Sequence, residues 1–300
     1  MIPEDEAQNP ETNSVLLDVK AIRRRFDRAA QDSDEVNVLG REIGSRLTER
    51  LELLRIAPQN VLDLGSGTGW VAADLLARYR KAQVYAIDLS PQMLVHAARR
   101  GKWLRRIRPV CADTRRLPLK DASIDLVVSN LMLPWCHPLD EVFREVRRVL
   151  SPGGAFIFST LGPDTLAELR QAWSQVDGNP HVHSFLDMHD VGDALLHAGL
   201  VDPVMDAERL CVTYSDVSAL LRELRQLGVS NVLKGRAKGL TSRAAFRALE
   251  AAYPRDSDGR IAVTGEIVYG LAWGSGSVQE KREGEVRIGL WQLRSARGPS

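Results

Sequence analysis

Val61-Leu-Asp-Leu-Gly65-Ser-Gly67-Thr-Gly69-Trp70 is the stretch on which the reading of this chain turns. A short apolar run ends in glycines at alternate positions. That pattern lets the backbone turn tightly after a strand and approach a ligand with no Cβ in the way. Such a turn belongs at the carboxyl end of a strand, where open α/β sheets bind nucleotide-like ligands. Two familiar chemistries do not fit. A dinucleotide fingerprint, G-x-G-x-x-G, needs a third glycine at position 70, which is tryptophan. A phosphate-cradling loop needs Gly-Lys-Ser/Thr, which is absent from this stretch.

Outward from this loop the chain alternates short apolar runs with helical patterns. Gln83-Val-Tyr-Ala-Ile-Asp88 reads as a second strand, and Ser90-Pro91 starts the next helix with a cap residue followed by proline at its first position. Arg108–Cys111, Ile124–Ser129 and Ala155–Ser159 read as three more strands, the last introduced by Ser151-Pro-Gly-Gly154. Helices over Trp70–Tyr79 and Leu139–Leu150 fall between them. Strands alternating with helices predict right-handed βαβ units and a parallel sheet covered on both faces. Upstream, Val19–Leu54 carries apolar residues at helical spacing, predicting two N-terminal helices. After Thr160 the rhythm changes to helices near 164–176, 187–198, 215–227 and 241–253 around strands near 203–213 and 264–273. This half is expected to complete the sheet and to supply a lid.

The glycine stretch resembles the D-x-G-x-G-x-G signature of class I S-adenosylmethionine (SAM) methyltransferases. The resemblance implies a Rossmann-like, seven-stranded, mostly parallel sheet with a helical N-terminal segment and a lid, and SAM as cofactor. It further implies that Asp63, Gly65, Ser66, Gly67 and Gly69 flank the methionine part of that cofactor. Asp88 would accept from the ribose hydroxyls, with Leu89 and Met93 beside it. Asp113 would accept from the adenine amino group next to Thr114, and Asn130-Leu131 would border the sulfonium. Each carboxylate could instead cap the helix that follows it; their joint placement at strand ends favours the cofactor.

A narrower resemblance is carried by Phe26-Asp-Arg-Ala-Ala30, Ser129-Asn-Leu-Met-Leu-Pro-Trp135-Cys136, Phe158–Arg170, Gly178-Asn-Pro-His-Val-His183, Leu227-Gly-Val-Ser-Asn231 and Gly239-Leu-Thr-Ser. Over roughly residues 20–273 the chain is similar to the BioC-type malonyl-acyl-carrier-protein O-methyltransferases of biotin synthesis. That implies methyl transfer to the free carboxylate of a malonyl group, with an acyl carrier protein carrying the malonyl thioester as partner. Trp135, His181 and Phe185 would contact substrate. No catalytic residue is expected, because a carboxylate is already ionised at pH 7 and needs no general base. Three positions depart from the family: Ser33 stands where tyrosine is common, Gly40 where glutamine is common, and Ser184 where many members carry an arginine suited to gripping a carboxylate. Asp164-Thr-Leu and Ser230-Asn231 equally resemble the mitochondrial complex I assembly factor that hydroxylates a protein arginine. A noncatalytic SAM-binding interaction protein is the third reading.

Composition narrows the class. The 300 residues are 44% hydrophobic, ample for a large buried core, and 40 basic against 39 acidic residues leave a formal charge of +1. That balance predicts neither nucleic-acid nor membrane binding. Two local basic runs stand out. Arg222, Arg225, Lys234, Arg236, Lys238 and Arg243 form a candidate carrier-docking face, and Arg99, Arg100, Lys102, Arg105, Arg106 and Arg108 form a run read mainly as solvated. Cys111, Cys136 and Cys211 lack CxxC spacing and read as reduced thiols of a cytoplasmic protein. His181, His183 and His189 lack the partners that would complete a metal set, and Cys136-His137 are too close in sequence to act as nucleophile and base. Tryptophans 103, 173, 273 and 291 read as packing residues. The expected organisation is a loose tail over 1–18, one domain over 19–273 (cofactor core 59–160, lid and sheet-completing part 161–260) and a peripheral tail over 274–300.

Overall fold

The computed structural model describes residues 16–101, 105–237 and 239–276. Five parallel strands form one side of the sheet: β1 (Asn60–Leu64), β2 (Gln83–Asp88), β3 (Ile107–Cys111), β4 (Ile124–Asn130) and β5 (Leu150–Leu161). Two long strands, β6 (Leu200–Tyr214) and β7 (Ile261–Gly274), complete it in the order β3-β2-β1-β4-β5-β7-β6. β7 runs antiparallel to both neighbours. The fold is thus a seven-stranded, mostly parallel Rossmann-like sheet, and the strand order reverses between β1 and β4.

Both faces of the sheet are buried, and the strand sequences show why. Alternate residues of an apolar strand point to opposite sides. Leu62, Leu64, Val127, Phe156 and Phe158 pack on one face against α6 (Leu139–Val149) and α8 (Met188–His197). Val61, Val84, Leu126, Val128 and Ile157 pack on the other against α3 (Val38–Glu49), α4 (Trp70–Arg78) and α5 (Pro91–Arg99). The rings of Phe156 and Phe158 stack at 4.9 Å with Phe143 against them. Each such ring contributes about 1.5–3 kcal/mol by leaving water. Gly270 is required here, since a Cβ at that position would lie 2.2 Å from the Phe158 ring.

Local signals in the sequence act as read. Ser90 accepts a hydrogen bond from the Met93 N–H at 3.2 Å, with Pro91 first in α5. The N-terminal pair of helices is more broken than its periodicity implied. α1 (Val19–Ala29) and α3 are separated by a four-residue turn of helix, α2 (Ser33–Val36), because Asp32 and Asn37 each begin a new helix. β5 starts earlier than expected, at Leu150. Ser151–Gly154 bulge out between the Leu150 and Ala155 pairings to β4, since Pro152 cannot donate to the ladder and Gly153 takes φ +75°.

The later helices α7 (Ala167–Ser174), α9 (Val217–Gln226) and α10 (Arg243–Ala252) share a third apolar cluster with the ends of β6 and β7, including Leu169, Trp173, Leu220, Leu249 and Ile261. Trp173 is a packing residue and Trp273 lies against the second cluster; Trp103 and Trp291 are outside the described residues, as are the tail positions 1–15 and 277–300. Among the described residues, no helix is long and apolar enough to cross a membrane.

Candidate active site

A cavity of about 920 Å³ opens over the carboxyl ends of β1–β4, at the point where strand order reverses. Its volume is at the upper end of the range for small-molecule sites, roughly 300–1,000 Å³. Asp63, Gly65, Ser66, Gly67, Asp88, Leu89, Met93, Asp113, Thr114, Asn130 and Leu131 all line it, as does Trp135. Gly69, His181 and Phe185 do not.

The three glycines of the loop divide their work. All take positive φ, where a Cβ is unfavourable: +75° at Gly65, +52° at Gly67 and +84° at Gly69. A Cβ on Gly65 would meet Met132 at 2.1 Å, and one on Gly69 would meet Ala97 at 2.7 Å. Both therefore permit close packing, which explains why Gly69 turns away from the cavity. A Cβ on Gly67 would meet no protein atom within 4 Å, although Gly67 lines the cavity.

The carboxylates are held in three different states. Asp63 is fully buried and neither carboxyl oxygen has a hydrogen-bond partner; the Ser66 hydroxyl beside it also lacks one. Burial, with Asp88 nearby, pushes the Asp63 carboxyl up to about 8. Asp88 accepts from the Gly67 N–H at 2.9 Å and from the Ser90 N–H at 2.8 Å, tying the glycine loop to the start of α5. Burial raises its pKa, opposed by those backbone donors. Asp113 is clasped by the Arg115 guanidinium at 3.0 and 2.6 Å, and that pairing lowers its pKa. Asn130 is pinned at both ends of its amide: its nitrogen donates to the Gly40 carbonyl at 2.9 Å and its oxygen accepts from the Ser159 hydroxyl at 2.7 Å. Leu131 follows at φ +55°, a strained conformation for leucine that turns the chain sharply at the end of β4.

The N-terminal helices form the near wall and the roof. Asp34 accepts from the Thr68 hydroxyl at 2.6 Å, from the Trp70 indole N–H at 3.0 Å and from Arg100. α2 is thereby latched onto the glycine loop, and Asp34, unremarked in the sequence, turns out to brace it. Ser33 is buried and lines the cavity. Asn37 caps α3 through the Gly40 N–H, and a Cβ on Gly40 would lie 2.2 Å from that cap. The glycine and its cap therefore go together. α3 also brings Arg41, Ser45 and Thr48 to the cavity. Its pattern of small and polar residues within a helical repeat was the available signal.

Overhead, Trp135 meets the Phe26 ring edge-on at 5.1 Å and the His183 ring at 5.3 Å. Arg25 donates to the Ser230 hydroxyl and the Asn231 carbonyl, and the Asn231 amide reaches the Pro180 carbonyl at 2.5 Å. Three sequence-distant motifs thus converge above the cleft. His181 is drawn away from it by stacking flat on Trp173 at 3.6 Å and bonding Asp177 at 2.8 Å; Phe185 packs behind His183. His183, not His181, holds the roof, and burial keeps its ring neutral by lowering its pKa to about 4.

The Cys136 thiol is pushed up to about 11 by burial, so it stays protonated. Among the described residues, no cluster of three or more His, Cys, Asp or Glu is placed to hold a metal ion. The basic run from Arg99 to Arg108 is largely engaged in structure. Arg100 binds Asp34 and lies over Trp70, Arg105 donates to the Tyr79 carbonyl, and Arg108 lies over Tyr85; Lys102 is outside the described residues.

Residues 62–158 match the model of a methyltransferase domain. The malonyl-[acyl-carrier protein] O-methyltransferase of Halorhodospira halophila is 49% identical over 94% of this chain and 97% of its own length. That of Laribacter hongkongensis is 48% identical over 87% of this chain and 91% of its own. A SAM-dependent methyltransferase of Thermotoga maritima shares the fold at a TM-score of 0.52, with 17% identity, over 85% of this chain and all of its own. With such identity over most of both chains, the chain belongs to the malonyl-[acyl-carrier protein] O-methyltransferase family.

Proposed function

We propose that this protein transfers a methyl group from SAM to the free carboxylate of a malonyl thioester carried on an acyl carrier protein, the reaction named for its relatives. The observation that carries the reading is the cleft, whose floor keeps a buried, unpartnered Asp63 carboxyl and Ser66 hydroxyl beside the open Gly67. Unpaired buried polar atoms are costly, so a floor that keeps them is built for a polar ligand. The ammonium and carboxylate of an amino-acid moiety fit those groups. When bound, SAM supplies an electrophilic methyl group on a sulfonium.

In this reading Asp63, Ser66 and Gly67 hold the methionine part, and Asp88 uses its remaining lone pairs for the ribose hydroxyls. Asp113 and Thr114 border the base. Asn130, immobilised by Gly40 and Ser159, fixes the wall where the methyl group is presented. The chain's contribution is alignment and exclusion of water, because the attacking carboxylate needs no proton removed.

Within residues 161–260, the segments outside β6 and α8 act with α1 as a lid, and Trp135 seats the acyl group beneath it. The carrier docks beside the rim of the cavity, on Arg222, Arg225 and Lys234 together with Arg24 and Arg28 of α1, all exposed. Arg236 is committed to Asp18 and the Leu233 carbonyl, so it braces this face and does not offer a free charge. Lys238 is outside the described residues.

Incubation with methyl-labelled SAM and malonyl-acyl carrier protein tests the proposal. Base-labile label on the carrier is expected. No transfer from a folded protein that binds S-adenosylhomocysteine would reject the substrate; methyl-free modification of a respiratory-complex subunit would favour the hydroxylase reading.

A further inference from the structure

We infer that Arg41 is the residue that holds the substrate's free carboxylate, a role resting on the proposed malonyl chemistry. A carboxylate entering a largely apolar cavity must find a cation, since an unpaired buried charge is prohibitive. Position 184, where an arginine could have served, is an exposed serine away from the cavity wall. Four cations line the cavity: Lys20, Arg41, Arg115 and Lys234. Arg115 is committed to Asp113 through two hydrogen bonds. Lys20 and Lys234 are exposed and flank the Leu17–Leu233 bridge at the rim, suited to meeting a partner rather than a small acyl group. Arg41 alone is half-buried, faces the cavity and, among the described residues, has no carboxylate within ion-pair distance.

Its surroundings hold it ready. The guanidinium lies 4.9 Å over the Trp70 ring, and that ring is anchored by the bond from its indole N–H to Asp34. Asp34 is engaged by Thr68, Trp70 and Arg100 and forms no ion pair with Arg41. Arg41 also directly follows Gly40, whose carbonyl takes the Asn130 amide, and one turn on a Cβ at Gly44 would lie 3.1 Å from that same amide. The arginine is therefore set beside the carboxyl end of β4, between the glycine loop and Asn130.

The chemistry follows from a fork that binds carboxylates and not esters. One carboxylate oxygen stays on the guanidinium while the other takes the methyl carbon; the carbon–oxygen bond forms as the carbon–sulfur bond breaks, and that electron pair remains on sulfur. No proton moves. The ester product is neutral, so its pairing with Arg41 is lost and release is favoured.

The test compares binding of malonyl-pantetheine and of its methyl ester to the full chain, by calorimetry with S-adenosylhomocysteine present so that no turnover occurs. In Arg41→Gln, affinity for the malonyl thioester should fall about 10- to 100-fold, the range for losing a charge-assisted pair, while the methyl ester and S-adenosylhomocysteine bind as before. Arg41→Lys should recover part of the loss and serves if the glutamine variant does not fold. Equal losses for acid and ester, loss of S-adenosylhomocysteine affinity, or no loss at all would each overturn the assignment. A wild-type protein that methylates the malonyl thioester while Arg41→Gln behaves identically would sink this inference alone; a wild-type protein that ignores the thioester would sink the proposed function as well.

Discussion

The floor and the roof of the cleft are built by opposite strategies. The floor is made of strand ends, each placed by a continuous apolar run buried on both faces, and its groups are fixed mainly by backbone partners: Asp88 by the Gly67 and Ser90 N–H groups, Asn130 by the Gly40 carbonyl and the Ser159 hydroxyl. The roof is assembled from pieces more than 200 residues apart in sequence, with Arg25 on Ser230, and Leu17 bridged to Leu233. Floor contacts link strand ends to one another and to the adjoining helix α3, at separations of up to 90 residues. Roof contacts exist only when the whole chain has closed. Changes in the floor should therefore act on the cofactor, and changes in the roof on the acyl substrate.

The sharpest break of that contrast is inside the glycine loop. Gly67→Val should abolish S-adenosylhomocysteine binding by calorimetry, since its side chain would enter the ligand space and force a β-branched residue to φ +52°. Gly69→Val, which collides with Ala97, should instead lower stability by about 1–3 kcal/mol in denaturant titration. Should both variants lose cofactor affinity equally at full stability, the division of labour among the glycines is wrong. Next in size, Asp88→Ala should weaken S-adenosylhomocysteine by about 1.5–3 kcal/mol, the range for a charged hydrogen-bond acceptor.

A roof change gives the complement. Trp135→Ala removes the ring wedged between Phe26 and His183. It should raise KM for the acyl substrate several-fold while S-adenosylhomocysteine affinity stays within about twofold, aromatic pairs contributing about 0.5–1.5 kcal/mol. Neutralising Arg225 and Lys234 should raise KM for the carrier-linked substrate only, by an amount that shrinks with added salt, because exposed charges act weakly and are screened. An identical change with malonyl-pantetheine would remove the docking face.

A separate check on the floor is in pH dependence. Asp63 is ionised in the unfolded chain above its ordinary value of 3.8, but in the ligand-free fold burial raises it to about 8. The stability associated with its protonated form is fully present below about pH 4 and is lost as pH rises through about 8. The melting temperature of ligand-free protein should thus contain a component that declines from pH 5 to 8. Asp63→Asn should flatten it, and binding of S-adenosylhomocysteine near pH 7 should release a proton from wild type but not from the variant.

The alternation of strands and helices, the two buried faces and the helix start at Ser90 were legible because each rests on periodicity or a local cap, whereas the strand order came only from the structure. The cofactor cleft was legible because its groups sit at strand ends, a position that the apolar runs announce. Asp34 gave no signal, as one acid among 39 acidic residues; only the fold brings it to Thr68, Trp70 and Arg100. His181 and His183 illustrate the limit best. They are two residues apart with the same chemistry, and sequence offered His181 as a substrate contact; neither ring lines the cavity, and Trp173 captures the first while the second meets Trp135.

The sequence by itself determined that a doubly covered, mostly parallel sheet would form and that a glycine turn with carboxylates at successive strand ends would face a polar ligand. Alternation and the conformational freedom of glycine are properties of a few adjacent residues. Tertiary structure decided which glycine opens to the ligand, which histidine closes the roof, and which cavity-lining arginine is, among the described residues, left without a carboxylate partner. Those outcomes depend on competition between side chains that only the closed fold brings within reach of one another.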